Sequence, residues 1–253
     1  MRRSLWAWML GLGLAVGAVG APATAHADAA GDKALAALDA NTYLKVKTQY
    51  LEYDAVIKTP DKPDRKLGLS VAMKGDWRLS EFLAPSDVKG TKVLILSPTQ
   101  MYVYLPAFGK VRRIASHVTD QGFMGMNFTQ DDMSISTYSK MYTATVASDD
   151  GKIQKLALTA KPNTDAPYTK LELLIDKAAT HLTEVHYLSD TGALLKTETR
   201  TNYTCEKDMC TPVELKMVDH TKGGQSTTLT RKVWKLNVDM PDSRFSKRAL
   251  EAG

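Results

Sequence analysis

Residues 142–160, Tyr142-Thr143-Ala144-Thr145-Val146-Ala147-Ser148-Asp149-Asp150-Gly151-Lys152-Ile153-Gln154-Lys155-Leu156-Ala157-Leu158-Thr159-Ala160, read as a β-hairpin. Two runs of strand-forming residues flank Asp149-Asp150-Gly151, a strong turn signal, and strands joined by so short a turn are antiparallel. The pattern repeats toward the C-terminus. Tyr168 to Ile175 and His181 to Leu188 come next, and Ala193 to Tyr203 follows after Ser189-Asp190-Thr191-Gly192. Val213 to His220 and Ser226 to Val233 then enclose Lys222-Gly223-Gly224-Gln225. Toward the N-terminus, Thr48 to Lys58 is a strand candidate, and Lys66 to Lys74 and Trp77 to Leu83 meet at Gly75-Asp76. Thr91 to Ser97 and Met101 to Leu105 meet at Pro98-Thr99, and Lys110 to Ala115 follows Phe108-Gly109. The expected fold is mainly β, one large curved antiparallel sheet of about eleven strands in a single domain.

A half-buried strand is apolar on one face only. Val93-Leu94-Ile95-Leu96 and Met101 to Leu105 are apolar on both, so this part of the sheet is covered twice or lines a cavity. Lys196-Thr197-Glu198-Thr199-Arg200-Thr201 reads as solvated on at least one face. A curved sheet must fill its concavity, and two segments can do so. Ala34, Leu35, Ala37, Leu38 and Tyr43 have helical spacing. Gly122-Phe123-Met124-Gly125-Met126-Asn127-Phe128 is glycine-broken and rich in large soft side chains, and methionine packs into irregular volumes. Thr129 followed by Asp131 and Asp132 predicts a short helix from Gln130 to about Ile135. The middle region is either core packing or the wall of a pocket.

Arg2 and Arg3, the apolar run from Leu5 to Val19 and the small-residue site Ala25-His26-Ala27 read as a cleavable signal peptide over residues 1–27, with a single domain over 28–253. The alternative is a retained anchor. The formal net charge is +5, which falls to +3 without the two arginines. That weak excess suits transient contact with an anionic membrane surface and makes no case for nucleic acid. Cys205 and Cys210 are the only cysteines. In an exported chain a disulfide across the tip Glu206-Lys207-Asp208-Met209 is the first reading, and free thiols or a metal the other.

No catalytic grammar emerges. His181 and His186 point to opposite faces of one strand, and His117 and His220 stand without a built-in partner. Dinucleotide, phosphate-loop and nucleophile-elbow motifs are absent from the sequence, so neither an enzyme nor a cofactor is expected. The acidic pairs Asp131-Asp132 and Asp149-Asp150 fall at a helix start and a hairpin.

Several separated segments resemble the outer-membrane lipoprotein-sorting protein family, which has the LolA/LolB-like fold. They are Phe82-Leu83-Ala84-Pro85-Ser86-Asp87-Val88-Lys89-Gly90-Thr91, Tyr104-Leu105-Pro106-Ala107-Phe108-Gly109-Lys110-Val111-Arg112-Arg113-Ile114 and Phe123 to Thr129 with Asp132. Gly192 to Thr197, Met217-Val218-Asp219-His220 and Pro241-Asp242-Ser243-Arg244-Phe245 continue the likeness. The resemblance implies an incomplete β-barrel wrapped over short helices around an apolar cavity for lipids or lipoprotein acyl chains. It also implies work beside lipid exporters of the resistance-nodulation-division type. Trp77, Phe82, Leu94, Tyr102, Tyr104, Phe123, Met124, Met126, Phe128 and Met133 are the expected cavity or plug residues, with Arg112 and Arg113 at a rim or partner surface. A carrier requires a cavity of several hundred Å³. A non-catalytic periplasmic adaptor for such an exporter requires instead a filled interior and an exposed apolar patch.

Overall fold

The computed structural model describes residues 28–42, 46–115 and 122–251; the expected signal peptide and His117 lie outside the described residues. The first meander comprises β1 (Thr48–Lys58), β2 (Arg65–Lys74), β3 (Trp77–Ala84), β4 (Lys92–Ser97), β5 (Gln100–Leu105) and β6 (Lys110–Arg113). A second comprises β7 (Tyr142–Asp149), β8 (Ile153–Ala160), β9 (Lys170–Asp176), β10 (His181–Leu188), β11 (Leu194–Glu206), β12 (Met209–Asp219) and β13 (Gln225–Leu236). All thirteen join one sheet in the order β6-β5-β4-β3-β2-β1-β13-β12-β11-β10-β9-β8-β7. The count exceeds the expected eleven because every alternating segment finds a partner, even the four-residue β6.

The two meanders join where β1 pairs with β13, from Gln49 opposite Leu236 to Lys58 opposite Ser226. That leaves β6 and β7 as the edges. A sheet beyond about ten strands curls, and this one curves without closing into a barrel. Flat, its edges would stand about 58 Å apart, at about 4.8 Å per strand. Of the link between β6 and β7, the described residues 122–141 run across the concave side and fill it.

Among the described residues four α-helices accompany the sheet: α1 (Ala29–Thr42), α2 (Gln130–Ser134), α3 (Tyr138–Met141) and α4 (Lys247–Glu251). Helix α2 begins where the threonine and acids predicted. The Thr129 side chain accepts a hydrogen bond from the Asp132 amide, and the Asp132 carboxylate accepts one from the Thr129 amide, a reciprocal capping box. Helix α1 buries Leu35 and Leu38 against β7 to β10 and shields the β7 edge. Its Asp32 accepts from the Ala144 amide at 2.8 Å and Asp28 from the Val146 amide at 3.1 Å, so two edge donors are satisfied by carboxylates. Gly31 makes this approach possible, because a Cβ there would lie 2.4 Å from the Ala144 carbonyl oxygen. Asp39, one turn before the end of α1, accepts from the Tyr138 and Ser139 amides and caps α3. Burial raises the Asp39 carboxyl above its ordinary value, against the pull of those same bonds.

Strands β4 and β5 are covered on both sides. Val93, Ile95 and Met101 face the crossing segment and meet Phe123 and Met133. Leu94 and Tyr102 face the other way, under Met240, Phe245 and Leu250 of the C-terminal segment.

Candidate functional site

A cavity of about 160 Å³ lies under the middle of the sheet, between β10, β11, β12, β13, β1, β2 and β3 and the crossing segment. Its apolar wall includes Leu51, Leu69, Val71, Leu215 and Leu229 from the strands. Met126, Phe128, Met133 and Ile135 of the crossing segment form its floor. At one end the tip of the β11–β12 hairpin contributes Tyr203, Met209 and Cys210, beside His181. The volume is smaller than the several hundred Å³ expected, because these floor side chains occupy the concavity.

The cavity also has a charged flank. Lys196, Glu198 and Arg200 alternate with threonines along β11, and all three turn inward and are buried. The expectation of a solvated strand holds for the threonine side only. Burying three charges is tolerable only if each is paired. The Lys196 Nζ donates to both Asp132 oxygens at 2.7 Å and lies over the rings of Tyr168 and Tyr187, at 5.3 and 5.2 Å. Tyr168 donates to the same carboxylate at 2.6 Å. Arg200 Nε donates to Glu198 at 2.7 Å, and the Tyr187 hydroxyl to the other Glu198 oxygen at 2.8 Å. Burial, then the neighbouring Glu198 charge, pushes the Tyr187 phenol far above its ordinary range. Arg78 reaches in from β3 and donates to the Met133 carbonyl at 3.0 Å. Asp132 thus caps α2 and ties that helix to β11.

The predicted residues divide by face. Met126, Phe128 and Met133 line the cavity. Phe82, Phe123 and Met124 form an adjoining cluster in which the Phe82 and Phe123 rings lie 5.5 Å apart. Trp77, Leu94, Tyr102 and Tyr104 sit on the opposite face of the sheet, with Phe245 5.9 Å from Trp77 and Lys247 4.5 Å from the Tyr102 ring. They are not brought together with the cavity: odd positions of β3 and even positions of β4 and β5 point away from it. Arg112 and Arg113 are exposed; Arg112 lies 5.4 Å over the exposed Phe108 ring and Arg113 donates to the Thr99 carbonyl at 2.9 Å. Cys205 and Cys210 form a disulfide at the hairpin tip.

Sequence reading missed Lys196, Glu198, Arg200 and Arg78. The signal was present in β11, where the charged residues share one face and alternate in sign.

The same fold is found in solved structures of other proteins. A LolA superfamily protein from Nitrosomonas europaea superposes with a TM-score of 0.73 at 18% identity, over 87% of this chain and 99% of the other. An outer membrane lipoprotein-sorting protein domain from Vibrio parahaemolyticus gives 0.76 at 24% identity, over 88% and 98%. A DUF1329 family protein from Desulfovibrio piger gives 0.79 at 21%, over 87% and 98%. A family model described as "Uncharacterized protein" matches residues 74–252, and the chain belongs to that family. Comparison with curated protein sequences returns no match.

Proposed function

We propose that this chain is a non-catalytic periplasmic carrier that shields an acyl chain of a lipid or lipoprotein during transfer between membranes. One observation carries the reading: a largely apolar cavity lies under the central strands, and its floor is a single crossing segment instead of a second sheet. A dry cavity of about 150 Å³ holds a benzene-sized group, so the described conformation takes a short stretch of chain, and a longer one requires the floor to move. The segment Phe123–Phe128 is suited to that. Gly122 and Gly125 flank Met124, and its backbone is held by neutral and surface contacts such as Arg65 to the Met124 carbonyl and Asn127 to Thr227. Helix α2, tied by Lys196, stays in place. Each methylene buried contributes roughly 0.8 kcal/mol. Residues 1–27 would direct export and then be cleaved, which leaves the mature domain, 28–253, and the weak positive charge suits brief contact with an anionic membrane.

The modest cavity favours a second reading. With its interior filled by its own side chains, the domain would act as an adaptor for an exporter of the resistance-nodulation-division type, and the exposed Phe108 beside Arg112 would serve as contact surface. Native mass spectrometry with lipid extraction separates the two. The carrier is expected to copurify lipid and take up a fluorescent fatty-acid probe, and Met126→Asp is expected to abolish uptake with the β spectrum retained. No lipid and no uptake would sink the carrier and leave the adaptor.

A further inference from the structure

The tip of the β11–β12 hairpin holds a group of metal-ligating atoms that neither reading uses. Cys205 and Cys210 are cross-strand partners with their Cα atoms 4.0 Å apart. His181, at the start of β10, stacks on Tyr203 of β11 with ring centroids 4.0 Å apart and planes 12° from parallel. That stack fixes the imidazole beside the clip, so one His181 nitrogen and both sulfurs lie within 4.8 Å of one another. Cys205 is exposed, and His181 and Cys210 are half-buried at the mouth of the cavity.

Two thiolates and an imidazole form a ligand set with which zinc keeps a fourth position open, and thiolates favour zinc over harder cations. With Zn–S near 2.3 Å and Zn–N near 2.0 Å, tetrahedral geometry places the sulfurs about 3.8 Å apart and each about 3.5 Å from the nitrogen. Both spacings fall within the 4.8 Å that encloses the three atoms, and they are reached only once the S–S bond is broken. We propose that the dithiol form of this hairpin tip, together with His181, binds one zinc ion at the cavity mouth. The step begins with a small dithiol reductant. It gives two electrons and two protons to the Cys205–Cys210 bond and is itself oxidised to a disulfide. Zinc then displaces the two thiol protons to solvent and takes the neutral imidazole as third ligand, leaving a site without net charge.

The test uses the tag-free chain, reduced with dithiothreitol and desalted under nitrogen. Cobalt(II) is expected to bind one per chain with a sulfur-to-metal charge-transfer band in the reduced protein only, and one equivalent of zinc to bleach it. His181→Phe keeps the stack on Tyr203 and removes the nitrogen; zinc affinity, read by chelator competition, is expected to fall by about tenfold or more. Cys205→Ser is expected to lose the band. No zinc uptake by the reduced chain at micromolar concentration, unchanged affinity in His181→Phe, equal binding by the oxidised chain, or loss of the β spectrum on reduction would each overturn the proposal. None of these outcomes bears on lipid uptake by the oxidised chain.

Discussion

Strand β4 sends Val93 and Ile95 to the concave side and Leu94 to the opposite side, whereas β11 sends Lys196, Glu198 and Arg200 inward and threonines outward. Both strands are shut away from water on the concave side, yet one does it with aliphatic packing and the other with paired charge. The difference follows from what each must hold. Near β4 the crossing segment rests on apolar contacts, which are indifferent to small sliding. At β11 it is located by directional bonds, because Asp132 accepts from Lys196, Tyr168 and its own helix cap at once. One half of the concavity can therefore repack around a guest, and the other half fixes where the floor is anchored.

The largest effect expected is at the charged half. Lys196→Ala leaves Asp132 buried without its cation, and breaking such a pair costs about 3–5 kcal/mol; urea unfolding should show the midpoint fall accordingly. Pairing Lys196→Met with Asp132→Asn should return part of the loss, since no charge then remains buried. A loss of less than about 1 kcal/mol in the single variant would mean that the ion pair does not anchor α2. The apolar half comes next. Leu94→Ala, at a fully buried position on the outer face, should cost about 2–4 kcal/mol through the cavity it leaves. It should leave probe uptake intact, because Leu94 points away from the cavity. Reduced uptake in a folded Leu94→Ala protein would break the division between the two faces.

The smallest effect expected concerns the rim. Asp76, in the β2–β3 turn, accepts from Ser136 at 2.6 Å and from Lys140 at 2.7 Å, so it ties the first meander to α3 and its approach. Partial burial pushes its carboxyl up, but the bonds from Lys140 and Ser136 outweigh this and leave it below the usual value. A group whose folded value is depressed adds stability above its unfolded value, near 3.8, and loses it as pH falls through the folded value. Asp76→Asn should be slightly less stable than the parent at pH 7, and the gap should close below about pH 4. A gap that widens in acid would reverse the assignment.

Much of the fold was legible because hairpins announce themselves locally: Asp149-Asp150-Gly151 and Gly75-Asp76 each mark a turn that the structure contains. The start of α2 was legible for the same reason, its cap being written within four residues, Thr129 to Asp132. The site was harder to read. Whether Tyr102 or Met101 faces the cavity depends on a register that a shift of one residue reverses. The inward charges of β11 were hidden because their partners are remote: Asp132 lies 64 residues from Lys196 along the chain. His181 escaped notice as a neighbour of the cysteines because it belongs to another strand.

Strand β13 forms the seam between the two meanders, and it is made after the other twelve strands. Until it arrives, β1 is a long bare edge facing a second bare edge on β12. A polypeptide emerging N-terminus first must hold these two half-sheets apart from each other's copies while its own zipper strand is still in transit. Non-local pairing of this kind slows folding and leaves strand edges open to association. Truncation before Gln225 would therefore yield two unsealed sheets instead of a slightly shortened protein, and this one strand decides whether the two half-sheets become one.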